Sequence, residues 1–412
     1  MTPHMEYDYR KRLGSLDGNT NMPIEALPPQ SSDPAPSRRA ATRISRLHRA
    51  GLDLMAIASS PISEFHLTVT PEKRESAKDL AHRLADILHE REATVVRQIV
   101  FGSANEQAAT IASLRQALED PTLPVTWVEG ASCTGGAIAG MQVHAIAGAT
   151  VQTIGCGELP VGRVWDDAVA THCVLGALGP THCPASAPAQ TRQTFENLQA
   201  GLAQAGMTMK DVARTWFFLD DILSWYSDFN RARNDFFAQS ELRPGSVPAS
   251  TGVSGRNASG TALTLAAWAV RAQEANYRAV EFVASPKQCP APAYGSAFSR
   301  AVEIHSAGFR QLLVSGTASI GPDGKTEHVD DVRAQIELSM QVVTAILASR
   351  GMALADVSRA TAYFKSPTDA PMFKHWLTRH AQSEMPVILT ACDICRDNLL
   401  FEIELDAIGA AD

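Results

Sequence analysis

The last strand-like run of the sequence concentrates its chemistry. In Phe401-Glu402-Ile403-Glu404-Leu405-Asp406-Ala407-Ile408, apolar and acidic residues alternate. A strand places Phe401, Ile403 and Leu405 on one face and Glu402, Glu404 and Asp406 on the other. Three carboxylates on one face repel unless that face is wet or a cationic group lies near. A solvated strand face and a site are the two readings. The corresponding run of an internal repeat, Asn257 to Gln273, has no acid. That asymmetry favours a site at the acidic copy.

Two further groupings carry polar chemistry. Tyr226 and Arg233 lie seven residues apart, two helical turns, so they share a helix face. A phenol and a guanidinium there suit a carboxylate, with Arg as a bidentate donor; an ordinary surface pair is the alternative. The run Gln288 to Arg300 contains two prolines and a glycine with Tyr294, Ser296 and Arg300 as polar groups. It reads as a stiff loop ahead of a strand at Arg310–Ser315 and a turn at Ser315-Gly316-Thr317. Cys392-Asp393-Ile394-Cys395 precedes a strand, whereas a thioredoxin-type pair opens a helix. Zinc at this pair would need two more ligands from distant positions, so no metal is expected. There is no HExxH, P-loop or GxSxG, and the glycines at 135, 136 and 140 do not make a dinucleotide fingerprint.

The elements that hold these residues repeat. Gly206-Met207-x-x-x-Asp211-Val212-x-Arg214 leads into Thr215-Trp216-Phe217-Phe218, and Gly351-Met352-x-x-x-Asp356-Val357-x-Arg359 leads into Ala360 to Phe364. A helical stretch precedes each copy (192–205 and 331–350), and a helix with aromatics follows (Trp225 to Phe237, Ala370 to His380). Each copy closes on an apolar strand (Ala262–Val270, Leu399–Ile408). Each glycine is expected to end its helix in the left-handed conformation. Each copy reads as strand–helix–strand–helix–strand, an α+β unit with helices on one face of a mixed sheet and its other face packed against a neighbouring sheet. Upstream, 75–92 has helical periodicity, and Val95–Phe101, Val125–Val128 and Gln142–Ile146 read as strands. Residues 1–40 hold six prolines among polar residues, and a disordered extension is expected to run to about residue 60.

Bulk properties exclude several classes. The 412 residues carry a formal net charge of −8, 45% apolar residues and 19% charged ones. No Lys/Arg-rich run marks a nucleic-acid surface. No uninterrupted apolar stretch is long enough to span a membrane, and the N-terminus lacks the apolar core of a signal peptide. Seven cysteines at irregular spacing do not form a disulfide framework, and a reducing cytoplasm is expected.

The repeat unit resembles the Rid family of imine deaminases. The whole arrangement is more similar to the chorismatase family, with two Rid-like domains in one chain. The stretches that carry the likeness include Thr215-Trp216-Phe217-Phe218-Leu219-Asp220-Asp221-Ile222, Val314-Ser315-Gly316-Thr317-Ala318-Ser319-Ile320 and Cys395-Arg396-Asp397-Asn398-Leu399-Leu400-Phe401-Glu402-Ile403-Glu404. The resemblance implies tandem chorismate-mutase-like domains at 61–275 (with extra leading elements) and 276–412, packed pseudo-trimerically. It implies a catalytic acid at Glu402, and carboxylate-binding groups at Tyr226, Arg233 and Arg300, with Tyr294 beside them, facing an inter-domain seam. Chorismate is the implied substrate, with no cofactor, nucleic acid or membrane partner, in a monomer or homo-oligomer. Pyruvate and 3-hydroxybenzoate are the implied products, with 4-hydroxybenzoate second. Family members of the hydroxybenzoate type carry a Cys at the position of Cys395, which gives that thiol a role in steering the product. An enamine deaminase and a non-catalytic binding protein are the alternatives. The deaminase reading suffers from a departure: Pro386-Val387 and Pro248-Ala249-Ser250 lack the arginine that Rid enzymes use for the substrate carboxylate.

Overall fold

A computed structural model describes residues 42–411 apart from 158, 183–184, 241 and 243–244. The expected disorder of 1–40 lies outside the described residues. The extension does not reach residue 60, because Arg43–Arg49 and Leu52–Ser59 pair as antiparallel strands.

The chain builds three sheets. The first contains β1 (Arg43–Arg49), β2 (Leu52–Ser59), β3 (Ile62–Val69), β4 (Thr94–Gly102), β5 (Thr126–Glu129) and β7 (Ile138–Ala147), with helices α1 (Ala77–His89) and α2 (Gln107–Ala117). A short strand, β6 (Ala131–Ser132), leaves it to pair with the third sheet. The second contains β8 (Gln152–Cys156), β9 (Leu159–Asp166), β10 (Ala170–Leu178), β11 (Val212–Leu219), β12 (Ala249–Ser254) and β13 (Leu263–Ala272), with α3 (Ala187–Gln204) and α4 (Ile222–Gln239). The third contains β14 (Val280–Val283), β15 (Ala301–Ser306), β16 (Phe309–Ala318), β17 (Val357–Phe364), β18 (Val387–Ala391) and β19 (Phe401–Ala410), with α5 (Val332–Ala348) and α6 (Ala370–Arg379).

The strand orders are β1-β2-β3-β7-β4-β5, β8-β9-β10-β13-β11-β12 and β14-β15-β16-β19-β17-β18-β6. One topology therefore occurs three times. Two copies were expected, and the region 61–275, read as one unit with leading elements, holds the second sheet and most of the first. The left-handed helix ends are as expected at Gly206 and Gly351, where Met207 N–H donates to Leu202 O and Met352 N–H to Leu347 O. In the first unit Ala93 N–H donates to Leu88 O in the same way, but Glu92 occupies the left-handed position.

Strand alternation sends one set of side chains to the helices and the other to a common centre. On the helix side of the third sheet, Phe401, Ile403 and Leu405 pack with Met340, Val343 and Phe373. Towards the centre, Val96 and Ile99 of the first sheet, Trp216 and Trp268 of the second, and Leu313 and Tyr363 of the third belong to one apolar cluster. That second face explains why the strands read as nearly continuous apolar runs.

Candidate active site

The acids of β19 point at the shared centre and are not solvated: Glu402 is 4% exposed, and Glu404 and Asp406 are fully buried. Three arginines at matching positions of the three units meet them. Arg97 on β4 pairs with His144 across the strand, Arg214 on β11 with Trp268, and Arg359 on β17 with Asp406. Arg359 reaches Asp406 at 2.6 Å and Glu404 at 3.0 Å; Arg214 reaches Glu404 at 2.5 Å; Arg97 reaches Asp406 at 3.4 Å. Glu404 also accepts from Thr251 Oγ1 at 2.6 Å and Trp216 Nε1 at 2.8 Å. Burial alone would raise both carboxyls, but Arg359 with Arg214 (for Glu404) or with Arg97 (for Asp406) outweighs it and holds each below its ordinary value.

Glu402 lies at the other end of this row. Among the described residues no arginine forms an ion pair with it. Burial, and then the neighbouring Glu404 charge, push its carboxyl up to about 8 against the weaker pull of Arg214 and Arg300. The strand opposite makes room for it. A register shift between Val314 and Thr317 puts an irregularity at Ser315-Gly316, within β16 and not in a turn after it. A Cβ at Gly316 would lie 2.1 Å from Glu402 Oε1.

Glu402 opens into a cavity of about 240 Å³ at the seam of the second and third units. All six residues singled out in the sequence line it: Glu402, Cys395, Tyr226, Arg233, Tyr294 and Arg300. Tyr226 and Arg233 come from one face of α4, as their spacing predicts. Arg233 is buried, donates to Asn230 Oδ1 at 2.6 Å and stacks over Phe229 at 5.2 Å. Among the described residues its Nε is buried without a hydrogen-bond partner. The Gln288–Arg300 run folds as a loop with a 3₁₀ turn at Ala291–Tyr294. Arg300 donates to Cys289 O through Nε and Nη2, at 3.0 and 2.8 Å, and lies over the Tyr294 and Phe298 rings. The Cys395 thiol sits beside Tyr226 and is pushed up to about 12, chiefly by burial and next by Glu402. Burial likewise raises Tyr226 and Tyr294, so both keep their protons as donors. Cys392 and Cys395 are both free thiols, and Cys392 does not line this cavity.

Sequence reasoning missed several groups. Arg396 lines the cavity, donates to Gly324 O at 2.9 Å and lies 5.3 Å from the Tyr294 ring centre. Its signal was its place beside Cys395. Arg214 and Arg359 were visible as the last residues of the Asp-Val-x-Arg repeat but read only as strand starts. Arg97 had no such marker.

The topology and seam define a member of a known class. The family model described as Endoribonuclease L-PSP matches residues 176–262 and 289–409. The chain belongs to the endoribonuclease L-PSP family. Among curated proteins it is 26% identical to a 3-hydroxybenzoate synthase of Streptomyces hygroscopicus, over 52% of this chain and 68% of that one. It is 29% identical to a chorismatase of Streptomyces rapamycinicus, over 47% and 63%. The crystal structure of a chorismatase aligns over 84% of this chain and 98% of its own, with a TM-score of 0.58 and 19% identity, and so has the same fold. Within the wider family, the relatives it resembles are named as a 3-hydroxybenzoate synthase and a chorismatase.

Proposed function

We propose that this chain cleaves chorismate to pyruvate and a hydroxybenzoate, with Glu402 as general acid. One observation carries the reading: a buried carboxyl pushed up to about 8 faces a small cavity that also holds Arg233, Arg300, Arg396, Tyr226 and Tyr294. Chorismate is a dianion with an enol ether. Arginines and phenols suit its two carboxylates, and orienting them brings the enolpyruvyl methylene to the acid. Glu402 gives its proton to that carbon, which becomes the methyl of pyruvate. The ether oxygen is then the carbonyl of an oxocarbenium group, and its bond to the ring breaks as the ring hydroxyl displaces it. Loss of a ring proton gives the aromatic ring, and Glu402 regains a proton. Without water as a reactant, chorismate is fully accounted for by pyruvate plus hydroxybenzoate. If water attacks instead, pyruvate is released with a dihydrodiol.

In this reading Cys395 selects between the two outcomes by moving protons near the ring while water is kept out, and 3-hydroxybenzoate is the main product, with 4-hydroxybenzoate second. The curated relative named for 3-hydroxybenzoate supports that choice. The test is to incubate the purified protein with chorismate and resolve pyruvate and the ring products by chromatography. Cys395→Ala should keep releasing pyruvate while its ring products move towards the dihydrodiol. An unchanged product ratio would leave Cys395 as packing alone, and ammonia release from 2-aminoacrylate without turnover of chorismate would favour a deaminase.

A further inference from the structure

A second polar cluster is buried where the three units meet, at a distance from any role in the cavity. On β3, Glu64 and His66 alternate with Phe65 and Leu67, so they face the shared centre while their neighbours face the helices. His66 stands directly opposite His144 of β7 across the ladder. The two imidazoles stack with centroids 4.4 Å apart. Both turn Nε2 to the same oxygen: Glu64 Oε2 lies 3.0 Å from His144 Nε2 and 3.7 Å from His66 Nε2.

His66 is 1% exposed, yet neither of its ring nitrogens has a hydrogen-bond partner among the described residues. A buried polar group in that state is costly unless something fills the gap. Two nitrogens and a carboxylate oxygen, all within 4.8 Å of one another, are a donor set for a divalent cation. Bonds of about 2.0–2.2 Å with tetrahedral angles put zinc ligands about 3.3–3.5 Å apart, bracketed by the two measured separations. A narrow cleft lined by Pro61, Asp167, Ser306 and Phe309 reaches Glu64 from outside. Asp167, which accepts from His172, adds negative charge to that cleft.

We infer that Glu64, His66 and His144 bind one zinc ion that ties the first sheet together at the junction of the three units. The donors come from two strands far apart in the chain, so no short ligand spacing marks them in the sequence. The inference is independent of the reaction proposed for the cavity.

Metal content of the whole protein tests it, on protein produced in zinc-supplemented medium and again after unfolding and refolding with zinc sulfate. The expected result is about one zinc per chain, higher thermal stability than chelator-refolded protein, and near-complete loss of the metal in both His66→Gln and Glu64→Gln. Cobalt-substituted wild-type protein should show the visible bands of a tetrahedral site with nitrogen and oxygen ligands and no thiolate charge transfer; this readout stands even if the variants do not fold. Three results overturn the proposal: no stoichiometric zinc after refolding, zinc retained in folded His66→Gln, or a thiolate spectrum, which would put the ion at the cysteines. In the first case a buried water fills the gap at His66.

Discussion

Glu402 and Glu404 are two residues apart on one strand face, and the fold gives them opposite states. Arg214, Arg359, Thr251 and Trp216 surround Glu404. Glu402 has burial and the Glu404 charge instead, and its carboxyl rises to about 8. A general acid must carry its proton, so kcat/KM should be level through neutrality and fall about tenfold per pH unit above about 8. A pH–rate profile checks this; a fall that begins in the ordinary carboxylate range would assign the acid elsewhere. At Arg233, which lines the cavity, Lys keeps the charge but loses the fork. Arg233→Lys should raise KM about 10–100-fold, the worth of a charge-assisted hydrogen bond of about 1.5–3 kcal/mol. A lowered melting temperature with unaltered kinetics would mark the residue as structural.

At the scale of elements, the irregularity in β16 is what lets a carboxyl sit against a strand. Gly316 has no left-handed backbone, so alanine fits the chain there, but its methyl would collide with Glu402 Oε1. Gly316→Ala should therefore fold and lose about 10²-fold in turnover, the usual scale for misplacing a reacting group by an ångström. Kinetics with circular dichroism would check it; full activity would show that Glu402 does not act from the position described. Much at this scale was legible in the sequence. Periodicity gave α4, β11, β17 and β19 within a few residues, and α4 placed Tyr226 and Arg233 together. The irregularity was not legible, since Ser315-Gly316-Thr317 reads equally as a turn, and only the pairing with β19 decides. The polar residues of the Gln288–Arg300 loop showed their type but not their direction.

At the scale of the molecule, two of the three units were legible and the first was hidden. The repeat was recognised by its glycine at the helix end, where a left-handed residue is required. The first unit uses Glu92 there, a strained choice for a non-glycine residue, and no sequence rule flags it. With that unit unseen, Arg97 had no partner, and the three acids of β19 lacked the cations that balance them. Removing one charge from this network strands the others. Glu404→Gln should cost about 3–5 kcal/mol in chemical denaturation, because Arg214 and Arg359 stay buried. A loss below about 1 kcal/mol would mean that the network is not what joins the units. Its pH dependence has a definite sign. Glu404 and Asp406 are held below their ordinary values, so their stabilisation is fully present above about pH 4–5 and is lost as pH falls below that range towards their lowered folded-state values. Glu402 works in reverse: its contribution is complete below its ordinary value and is lost as pH rises through about 8. All of this places one protonated carboxyl at the seam of two units, and the most direct test compares wild type with Glu402→Gln for pyruvate released from chorismate. A general acid at Glu402 predicts steady release by the wild type and a loss of about 10²–10⁴-fold in a folded Glu402→Gln variant. Release by the variant at more than about a tenth of the wild-type rate, or none by the wild type above spontaneous decay, would contradict it.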